Sequence, residues 1–288
     1  MKVALLDGFN LAFRAFYGMP DLARADGFPT GALHGWVRSL WWIEDHVKAD
    51  QMLVFFDLGG ARRQLEIRED YKANRTEAPE ALERQIPVIK EWTRAAGYVG
   101  IERDGVEADD LIAAYSRKHE RAGADVLVVS ADKDLGQLVT DRVHQLVPPP
   151  TANPRLGWRE LDPAGVEEKF GVRPGQMADY LALIGDTSDN IPGLNGVGPK
   201  TASKWLSQYG SVEAIIAHCG ELSPKRFQAL VYAEAGTLRD NLRMTRLTED
   251  LPVDNDVHAA PDYGRALEIL EEMEMGKTAI AFRQRCGL

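Results

Sequence analysis

The chain has 288 residues, 44% of them hydrophobic, which is enough for one large α/β domain or a domain with a subdomain. No apolar run approaches the ~20 residues that span a membrane, and the N-terminus enters a strand without a signal-peptide pattern. Cys219 and Cys286, the only cysteines, are too few for a disulfide scaffold, so we expect reduced thiols in a cytoplasmic protein. The net charge of −10 counts against a nucleic-acid binder unless divalent cations offset clustered acids, so charge alone decides nothing.

Three apolar runs are typical of strands buried on both faces of a parallel sheet: residues 3–6, 52–56 and 126–129. Each run ends in one or two aspartates: Asp7, Asp57, and the pair Asp132 and Asp134. Because ligands bind at the carboxyl ends of strands in an open α/β sheet, we expect these carboxylates to meet at one edge. Between and after these runs the patterns predict strands at 98–102 and 143–147 and helices at 31–50, 81–96, 111–121 and 176–184.

Five further acids adjoin predicted helix ends: Glu107, Asp109, Asp110, Asp186 and Asp189. A helix dipole explains one or two acids at the start of the helix 111–121, but less easily three beside the expected sheet edge. Like charges ~4 Å apart repel by about 4 kcal/mol at an effective dielectric of 20, so nine converging acids would need divalent cations. Oxygen ligation favours Mg²⁺ or Mn²⁺ over zinc, and two such ions are the usual equipment for attack on a phosphodiester.

Basic residues are concentrated in the segment 58–76, which is rich first in glycine and then in arginine. Its motif Tyr71-Lys72-Ala73-Asn74-Arg75 puts an aromatic ring beside basic groups, an arrangement that grips a nucleic-acid backbone and stacks a base. A solvated charged loop stays open as the alternative. Arg14 lies two helical turns past Asp7, where it either faces the same sheet edge or is an ordinary surface arginine.

The glycine-rich stretch 193–201 nearly fits a phosphate-binding NTPase loop, but it follows a helix instead of a strand, so that context fails. We interpret it as a helix–hairpin–helix element, in which glycines allow close approach of a phosphate and a helix N-terminus supplies positive potential. The residues concerned are Gly196, Gly198, Pro199, Lys200 and Thr201. Such an element grips a duplex backbone without recognising its sequence; a plain helix connection is the alternative.

Together these motifs resemble the 5′-nuclease (flap endonuclease) superfamily, in particular the 5′→3′ exonuclease domain of bacterial DNA polymerase I and its stand-alone and phage relatives. The resemblance covers essentially the whole chain. The motifs occur in family order: Asp7-Gly8, Pro29-Thr30-Gly31-Ala32, Phe56-Asp57, Tyr71-Lys72-Ala73-Asn74-Arg75, Glu107-Ala108-Asp109-Asp110, Ser130-Ala131-Asp132-Lys133-Asp134 and Gly185-Asp186-Thr187-Ser188-Asp189-Asn190-Ile191-Pro192-Gly193.

The resemblance implies an α/β fold with a central, mostly parallel sheet flanked by helices and a helical arch over the site at about 65–95. The nuclease core would cover 1–173, and a helical DNA-binding subdomain with a helix–hairpin–helix (helix-three-turn-helix) element would cover 174–288. Within that subdomain the sequence also predicts a linker at 251–262.

The resemblance also implies the site residues. A first metal group maps to Asp7, Asp57, Glu107, Asp109 and Asp110, and a second to Asp132, Asp134, Asp186 and Asp189. Lys72 and Arg75 would contact the scissile phosphate as catalytic residues. DNA would be bound by Arg14, Tyr71, Gly196, Gly198, Lys200 and Thr201. The cofactors would be two or more Mg²⁺ ions, with Mn²⁺ as a substitute, and in some relatives the hairpin also holds K⁺.

The implied function is a divalent-metal-dependent, structure-selective 5′ nuclease, acting as flap endonuclease and 5′→3′ exonuclease on DNA at single-strand/duplex junctions. We expect a monomer at the bacterial nucleoid, with no membrane association and with replication or repair proteins as partners. One departure stands out, because the family has an aromatic–arginine pair where this chain has Ala61-Arg62-Arg63-Gln64. Either Arg63 substitutes through a shifted backbone or one phosphate contact is missing. A catalytically weak DNA-junction binding module and an RNA-directed nuclease remain alternatives.

Overall fold

The computed structural model describes residues 1–254 and 260–288; residues 255–259, within the predicted linker 251–262, lie outside the described residues. The central sheet contains, in chain order, β1 (Lys2–Asp7), β2 (Gln51–Phe55), β3 (Val99–Ile101), β4 (Asp125–Val129), β5 (Val143–Val147) and β6 (Arg159–Leu161). The spatial order is β3-β2-β1-β4-β5-β6, with parallel pairing except for the antiparallel edge strand β6. The predicted strands are therefore confirmed to within a residue or two.

Helices connect and flank these strands. Those of the first part of the chain are α1 (Gly8–Gly18), α2 (Gly31–Val47), α3 (Arg62–Ile67), α4 (Glu80–Glu83), α5 (Ile86–Ala95), α6 (Ala108–Arg121) and α7 (Pro163–Phe170). Those of the second part are α8 (Met177–Ile184), α9 (Pro199–Tyr209), α10 (Val212–Ala217), α11 (Arg226–Ala233), α12 (Ala235–Thr245), α13 (Tyr263–Glu272) and α14 (Gly276–Cys286). Within the described ranges, no helix combines the length and apolar character needed to cross a membrane.

The continuous apolar run of β1 is explained by cores on both faces of the sheet. Ala4 and Leu6 belong to one core with α1, α2 and α5, whereas Val3 and Leu5 belong to a second core with α6. Successive residues of a strand point to opposite faces, so a strand covered on both sides needs apolar residues at every position.

Three central strands end at the same level, which builds the edge that carries the site. Asp7 is paired with Phe55 of β2, and Leu6 is paired with Val129 of β4. Gly8 begins α1 directly after Asp7, and a side chain there would lie 2.5 Å from the carbonyl oxygen of Phe55. A glycine is therefore needed for the helix to begin so close to the neighbouring strand.

The second part of the chain forms its own helical core. Helices α8 to α12 bury a cluster that includes Leu181, Trp205 and Phe227. Between α8 and α9 lies a two-stranded ribbon of β7 (Gly185–Asp186) and β8 (Ile191–Pro192), followed by the hairpin that leads into α9. This arrangement agrees with the predicted helix–hairpin–helix element.

The last two helices, α13 and α14, do not pack in this helical core. α13 and α14 contribute Leu270 and Phe282 to the same core as Trp36 and Trp92 of α2 and α5. The predicted subdomain 174–288 is therefore corrected at its end, because the apolar sides of α13 and α14 are buried against the nuclease core. Sequence periodicity predicts such an apolar side but not the surface that covers it.

The predicted arch over 65–95 also differs in the structure. α5 is a packed helix of the core, because Ile89 and Trp92 are fully buried. Residues 68–79, between α3 and α4, form turns and irregular backbone, and Lys72 and Arg75 of this segment lie beside Asp7 and Asp57 at the carboxyl edge of the sheet. The apolar periodicity of α5 explains why it packs on the core instead of standing free.

Candidate active site

The carboxyl edge of the sheet contains a cavity of about 220 Å³. Its charged lining consists of Asp7, Asp57, Lys72, Arg75, Glu107, Asp109 and Asp132. Asp7 is the last residue of β1 and caps α1 by accepting a hydrogen bond from the backbone N–H of Asn10 (3.0 Å). Asp57 follows β2 and accepts from the backbone N–H of Ala108 (2.7 Å), which fixes it against the start of α6. The acids predicted at three strand ends are thus brought together.

The turn after β4 is tied to this edge by groups that the sequence alone did not single out. The Ser130 hydroxyl donates to Asp7 Oδ2 (2.7 Å) and accepts from the backbone N–H of Asp132 (3.0 Å). Asn10 Oδ1 accepts from the backbone N–H of Ala131 (3.0 Å). A hydroxyl residue between a strand end and two aspartates is the sequence signal that could have identified Ser130 as part of the site.

A second group of acids lies beyond Asp132. Among the described residues, Asp134, Asp186 and Asp189 each offer a carboxylate oxygen, and these oxygens lie within 4.8 Å of one another. Asp134 Oδ1 is buried without a hydrogen-bond partner. By contrast, Lys133 Nζ contacts Asp186 Oδ2 at 2.6 Å, so Asp186 has a cationic partner. An orphaned carboxylate oxygen in an all-oxygen cluster fits a hard divalent cation, so these residues are suited to hold one.

The electrostatics of both groups reflect burial and mutual repulsion. Burial raises the pKa of Asp7 to about 7, with Asp132 and Asp57 adding to the effect. Burial and then the charge of Asp132 also raise the pKa values of Asp109 and Asp134. These carboxyl groups therefore give up their protons less readily than ordinary aspartates unless positive charge is supplied.

Basic neighbours act in the opposite direction at two positions. Burial raises the pKa of Asp186, but hydrogen bonds from Lys133 and Ser188 outweigh it and hold that pKa below its ordinary value. Burial alone would lower the pKa of Lys72, but Glu107 and Asp189 outweigh it and raise that pKa. Lys72 is therefore a firmly protonated cation inside the cavity.

The segment Asp70–Arg75 is docked onto the loop that carries the second group. The backbone N–H of Lys72 donates to the carbonyl of Asp189 (3.1 Å), and Asn74 Nδ2 donates to the carbonyl of Thr187 (2.6 Å). Arg75 pairs with the Asp189 carboxylate (2.5 Å), and Lys72 pairs with Glu107. The two predicted catalytic cations therefore contact one acid from each group.

Tyr71 does not present its ring as predicted. Its side chain is buried among Ala61, Ile191 and Met244, and the residue is 8% exposed. The ring therefore has no free face on which a base could stack, which corrects the predicted stacking role. The aromatic ring of Tyr71 packs in this small apolar cluster. The charged residues around it in the sequence gave no indication that it would be buried.

Asp110 is not brought to the cavity with the other acids. Its carboxylate accepts from the backbone N–H of Thr248 (2.7 Å) and lies 3.5 Å from Arg63. Arg63 also donates to the carbonyls of Arg243 (2.9 Å) and Arg246 (3.0 Å) at the end of α12. Successive helix residues point about 100° apart, which explains why Asp109 reaches the site and Asp110 does not. Of the two alternatives for Arg63, the structure favours the missing phosphate contact.

The hairpin residues lie on the surface, as a backbone-gripping element requires. Gly196 has a φ of +76°, and a side chain on Gly198 would meet nothing within 4 Å. Lys200 is exposed in the first turn of α9, next to Thr201. Arg14 is half-buried on α1 and is not part of the cavity lining, so its predicted contact stays a prediction.

Two protein-family models match consecutive parts of the chain. Residues 2–171 match the N-terminal resolvase-like domain of 5′-3′ exonucleases, and residues 172–264 match the C-terminal SAM fold of the same proteins. The boundary between the two models lies within three residues of the predicted one. Helix α14 follows the matched range, although it packs on the first domain.

Individual relatives agree with these models. A 5′-3′ exonuclease of Aquifex aeolicus is 37% identical over 276 residues, covering 94% of this chain and 91% of that protein. The thermostable DNA polymerase I of Thermus thermophilus is 37% identical over 279 residues, and the chain spans only 32% of its length and similar shares of other polymerase relatives. A flap endonuclease of bacteriophage T5, solved with DNA and metal ions, has the same fold, with a TM-score of 0.70 at 23% identity over 99% of this chain and all of that one. The resemblance predicted from the motifs is confirmed, and the chain belongs to the 5′-3′ exonuclease family, whose members are phosphodiester hydrolases.

Proposed function

We propose that this protein is a divalent-metal-dependent, structure-selective 5′ nuclease. It would hydrolyse DNA phosphodiesters at single-strand/duplex junctions, both by cleaving 5′ flaps and by removing 5′-terminal nucleotides. The observation that carries the proposal is the cavity at the sheet edge, where buried acids that need positive charge lie beside Lys72 and Arg75. Family membership gives the reaction class, and the bacteriophage enzyme solved with DNA and metal ions supports the substrate and cofactor.

The residues that would hold the ions fall into two groups. Asp7, Asp57, Glu107 and Asp109 would hold the first, and Asp134, Asp186 and Asp189 the second. Asp132 lines the cavity with the first group and accepts from the backbone N–H of Asp134 (2.9 Å), so it lies next to both. Mg²⁺, with Mn²⁺ as a substitute, suits this all-oxygen donor set. Bound ions of this kind lower the pKa of a water molecule and stabilise the charge on the leaving oxygen.

The chain's own cations would orient the substrate. Lys72 and Arg75 line the cavity, where Lys72 pairs with Glu107 and Arg75 pairs with Asp189. When a substrate phosphate binds, each cation would leave its carboxylate and contact a phosphate oxygen. Charge-assisted hydrogen bonds to phosphate are among the strongest available, and both side chains are flexible enough to reach it. In this proposal they fix the scissile phosphate and stabilise negative charge as the bond breaks.

The hairpin would hold the duplex beside the junction. The exposed N-terminus of α9 with Lys200 offers backbone N–H groups and positive charge to a phosphate. Gly198 leaves room for the DNA backbone to approach. The protein would act as a monomer in the cytoplasm, at the nucleoid, alongside replication or repair proteins.

One observation favours a second candidate, a DNA-junction binding module with weak catalysis. Arg63, in the altered segment 61–64, hydrogen-bonds carbonyl groups at the end of α12 and contacts Asp110, so its guanidinium does not reach the cavity. The loss of one phosphate contact would slow cleavage without preventing binding. An RNA-directed nuclease is disfavoured by the duplex-gripping hairpin.

The test is cleavage of a 5′-labelled DNA flap in Mg²⁺, in Ca²⁺ and in chelator, with a matched RNA flap. We expect cleavage near the junction in Mg²⁺ only and a preference for DNA. Asp57→Asn and Asp186→Asn, which alter one group each, should reduce the rate by at least about a hundredfold while flap binding persists. Full activity in either variant would refute the two-group site, and binding without turnover in the unaltered protein would select the junction-binding module.

A further inference from the structure

The Tyr71 hydroxyl stands between the two groups of acids. It lies 3.2 Å from Glu107 Oε2 and 3.2 Å from Asp189 Oδ2. Glu107 belongs to the cavity lining, whereas Asp189 belongs to the second cluster. The hydroxyl is therefore within hydrogen-bond distance of one carboxylate of each group, and its single hydrogen is given to one of them or shared between both.

The packing of the Tyr71 ring and of the adjacent backbone fixes the position of this hydroxyl. The ring is packed against Ile191 and Met244, and Ile191 is part of the ribbon strand β8 that follows the second group. The backbone on either side is also held, because Asn190 Nδ2 donates to the carbonyl of Asp70 (2.7 Å) and Lys72 N–H donates to the carbonyl of Asp189 (3.1 Å). The phenol is thus attached to the loop that carries Asp189 and reaches across to Glu107.

Tyr71 differs in kind from the two cations that contact the same carboxylates. Lys72 and Arg75 carry full charges, so they compete with a divalent ion for Glu107 and Asp189 and are drawn away by a phosphate. A phenol O–H occupies one lone-pair position on a carboxylate oxygen and leaves the others free for a metal ion. It can therefore keep its one hydrogen bond, given to either carboxylate or shared between the two, while ions are bound.

We propose that Tyr71 is a positioning residue that fixes Glu107 and Asp189 relative to each other, and so sets the separation of the two metal groups. This inference rests on the proposed function only in requiring that the acids bind divalent ions. Hydrogen-bond partners of metal ligands hold the ligands in orientation, and their loss typically weakens metal binding or activity by about 10- to 100-fold.

The experiment compares Tyr71→Phe with the unaltered protein by calorimetric titration with Mn²⁺ in the absence of DNA. Phenylalanine keeps the ring in its cluster and removes only the hydroxyl. We expect about a tenfold or greater loss of Mn²⁺ affinity at one or more sites, with 5′-flap affinity in Ca²⁺ changed less than twofold. A cleavage assay should then show a lower kcat at an unchanged KM.

The matched control is Tyr98→Phe. Tyr98 is 9% exposed, close to the value for Tyr71, and its hydroxyl bonds Glu44 at the opposite edge of the sheet. This variant loses a hydroxyl of similar burial and should bind Mn²⁺ as the unaltered protein does. Asp189→Asn provides a second check, because adding Tyr71→Phe to it should cost less affinity than Tyr71→Phe costs alone.

Each outcome bears on the inference. Unchanged Mn²⁺ affinity in Tyr71→Phe overturns it, and unchanged Mn²⁺ affinity with a tenfold loss of flap affinity would make Tyr71 a substrate contact instead. If the unaltered protein binds Mn²⁺ but cleaves no flap, the proposed function fails while the titration still tests Tyr71. If the unaltered protein binds no Mn²⁺, both fail together.

Discussion

Asp7 carries much of the energetic cost of building an acidic site. It is 6% exposed, and burial raises its pKa to about 7 from an ordinary value of 3.8. Between those values the folded state holds a proton that the unfolded state releases, so the stability that the protonated group provides is lost as the pH rises through 7. Asp109 and Asp134, whose pKa values are raised, act in the same direction, whereas Asp186 opposes them.

In chelator, the free energy of unfolding should therefore fall as the pH rises from 5 to 8. Asp7 alone accounts for up to about 3 kcal/mol of this fall, from the roughly two pH units between pH 5 and its raised pKa of about 7, at 1.36 kcal/mol each. Urea denaturation at several pH values measures the slope, and Mg²⁺ should restore stability more at pH 8 than at pH 5. In Asp7→Asn, which cannot ionise, the slope should be smaller. A metal-free protein that becomes more stable toward pH 8 would contradict the pKa raised by burial.

Single residues also show where sequence reasoning succeeds and where it stops. Asp7 and Asp57 could be predicted because they end recognisable strands, and parallel strands bring their ends to one edge. The sequence could not show that Asp109 faces the cavity while Asp110 does not, because both belong to the same motif. Asp110 turns away because it accepts a hydrogen bond from Thr248, a residue far along the chain. Tyr71 carried no sequence signal of burial, since its cluster is assembled from residues far apart in the chain.

At the scale of elements, the connection from α8 to α9 depends on two kinds of glycine. A side chain on Gly193 would overlap the backbone of Ile184 and Gly185, so this glycine permits two chain segments to touch. A side chain on Gly198 would enter open space, and its backbone φ of −107° suits any residue. Gly193 is therefore required for the close packing of two backbone segments, whereas Gly198 keeps the surface of the hairpin free of a side chain.

Alanine at the two positions should separate these roles. Gly193→Ala should destabilise the protein by about 1–3 kcal/mol, because the overlapping atoms are backbone and cannot turn aside. Gly198→Ala should leave the thermal midpoint nearly unchanged and weaken 5′-flap binding in Ca²⁺, because its methyl group would stand where a phosphate approaches. Thermal denaturation and a flap-binding titration measure both variants. Equal flap affinity in Gly198→Ala would show that the DNA backbone does not approach this glycine.

Regular elements were predictable because their periodicity is local. The buried strands and the helix α6 follow from patterns that any covered sheet imposes on its own residues. The arch was not predictable in the same way. The turns at 68–79 take their course from contacts with Asp189 and Thr187, which lie more than a hundred residues away in the chain.

At the scale of the whole molecule, the chain returns to its beginning. Phe282 of α14 is 2% exposed and lies against the rings of Trp41 and Trp92, with centroid distances of 6.5 and 6.1 Å. Arg285 contacts both Glu44 and Asp45 of α2. The nuclease core is thus completed by residues that follow the helical subdomain in the chain. For this reason, a simple division of the chain at residue 174 does not separate the residues that pack in the two cores.

Phe282→Ala should therefore destabilise the nuclease core, although it lies at the far end of the chain. Removal of a buried phenylalanine costs about 3–5 kcal/mol, and the cavity would open against Trp92, so tryptophan fluorescence should report the loss. Ile280→Ala on the same helix is the control, because Ile280 is 60% exposed and its loss should be nearly neutral. Urea denaturation followed by fluorescence and by circular dichroism tests both variants. If Phe282→Ala left the fluorescence midpoint unchanged and created a separate early helical transition, α14 would be an appendage and not part of the core.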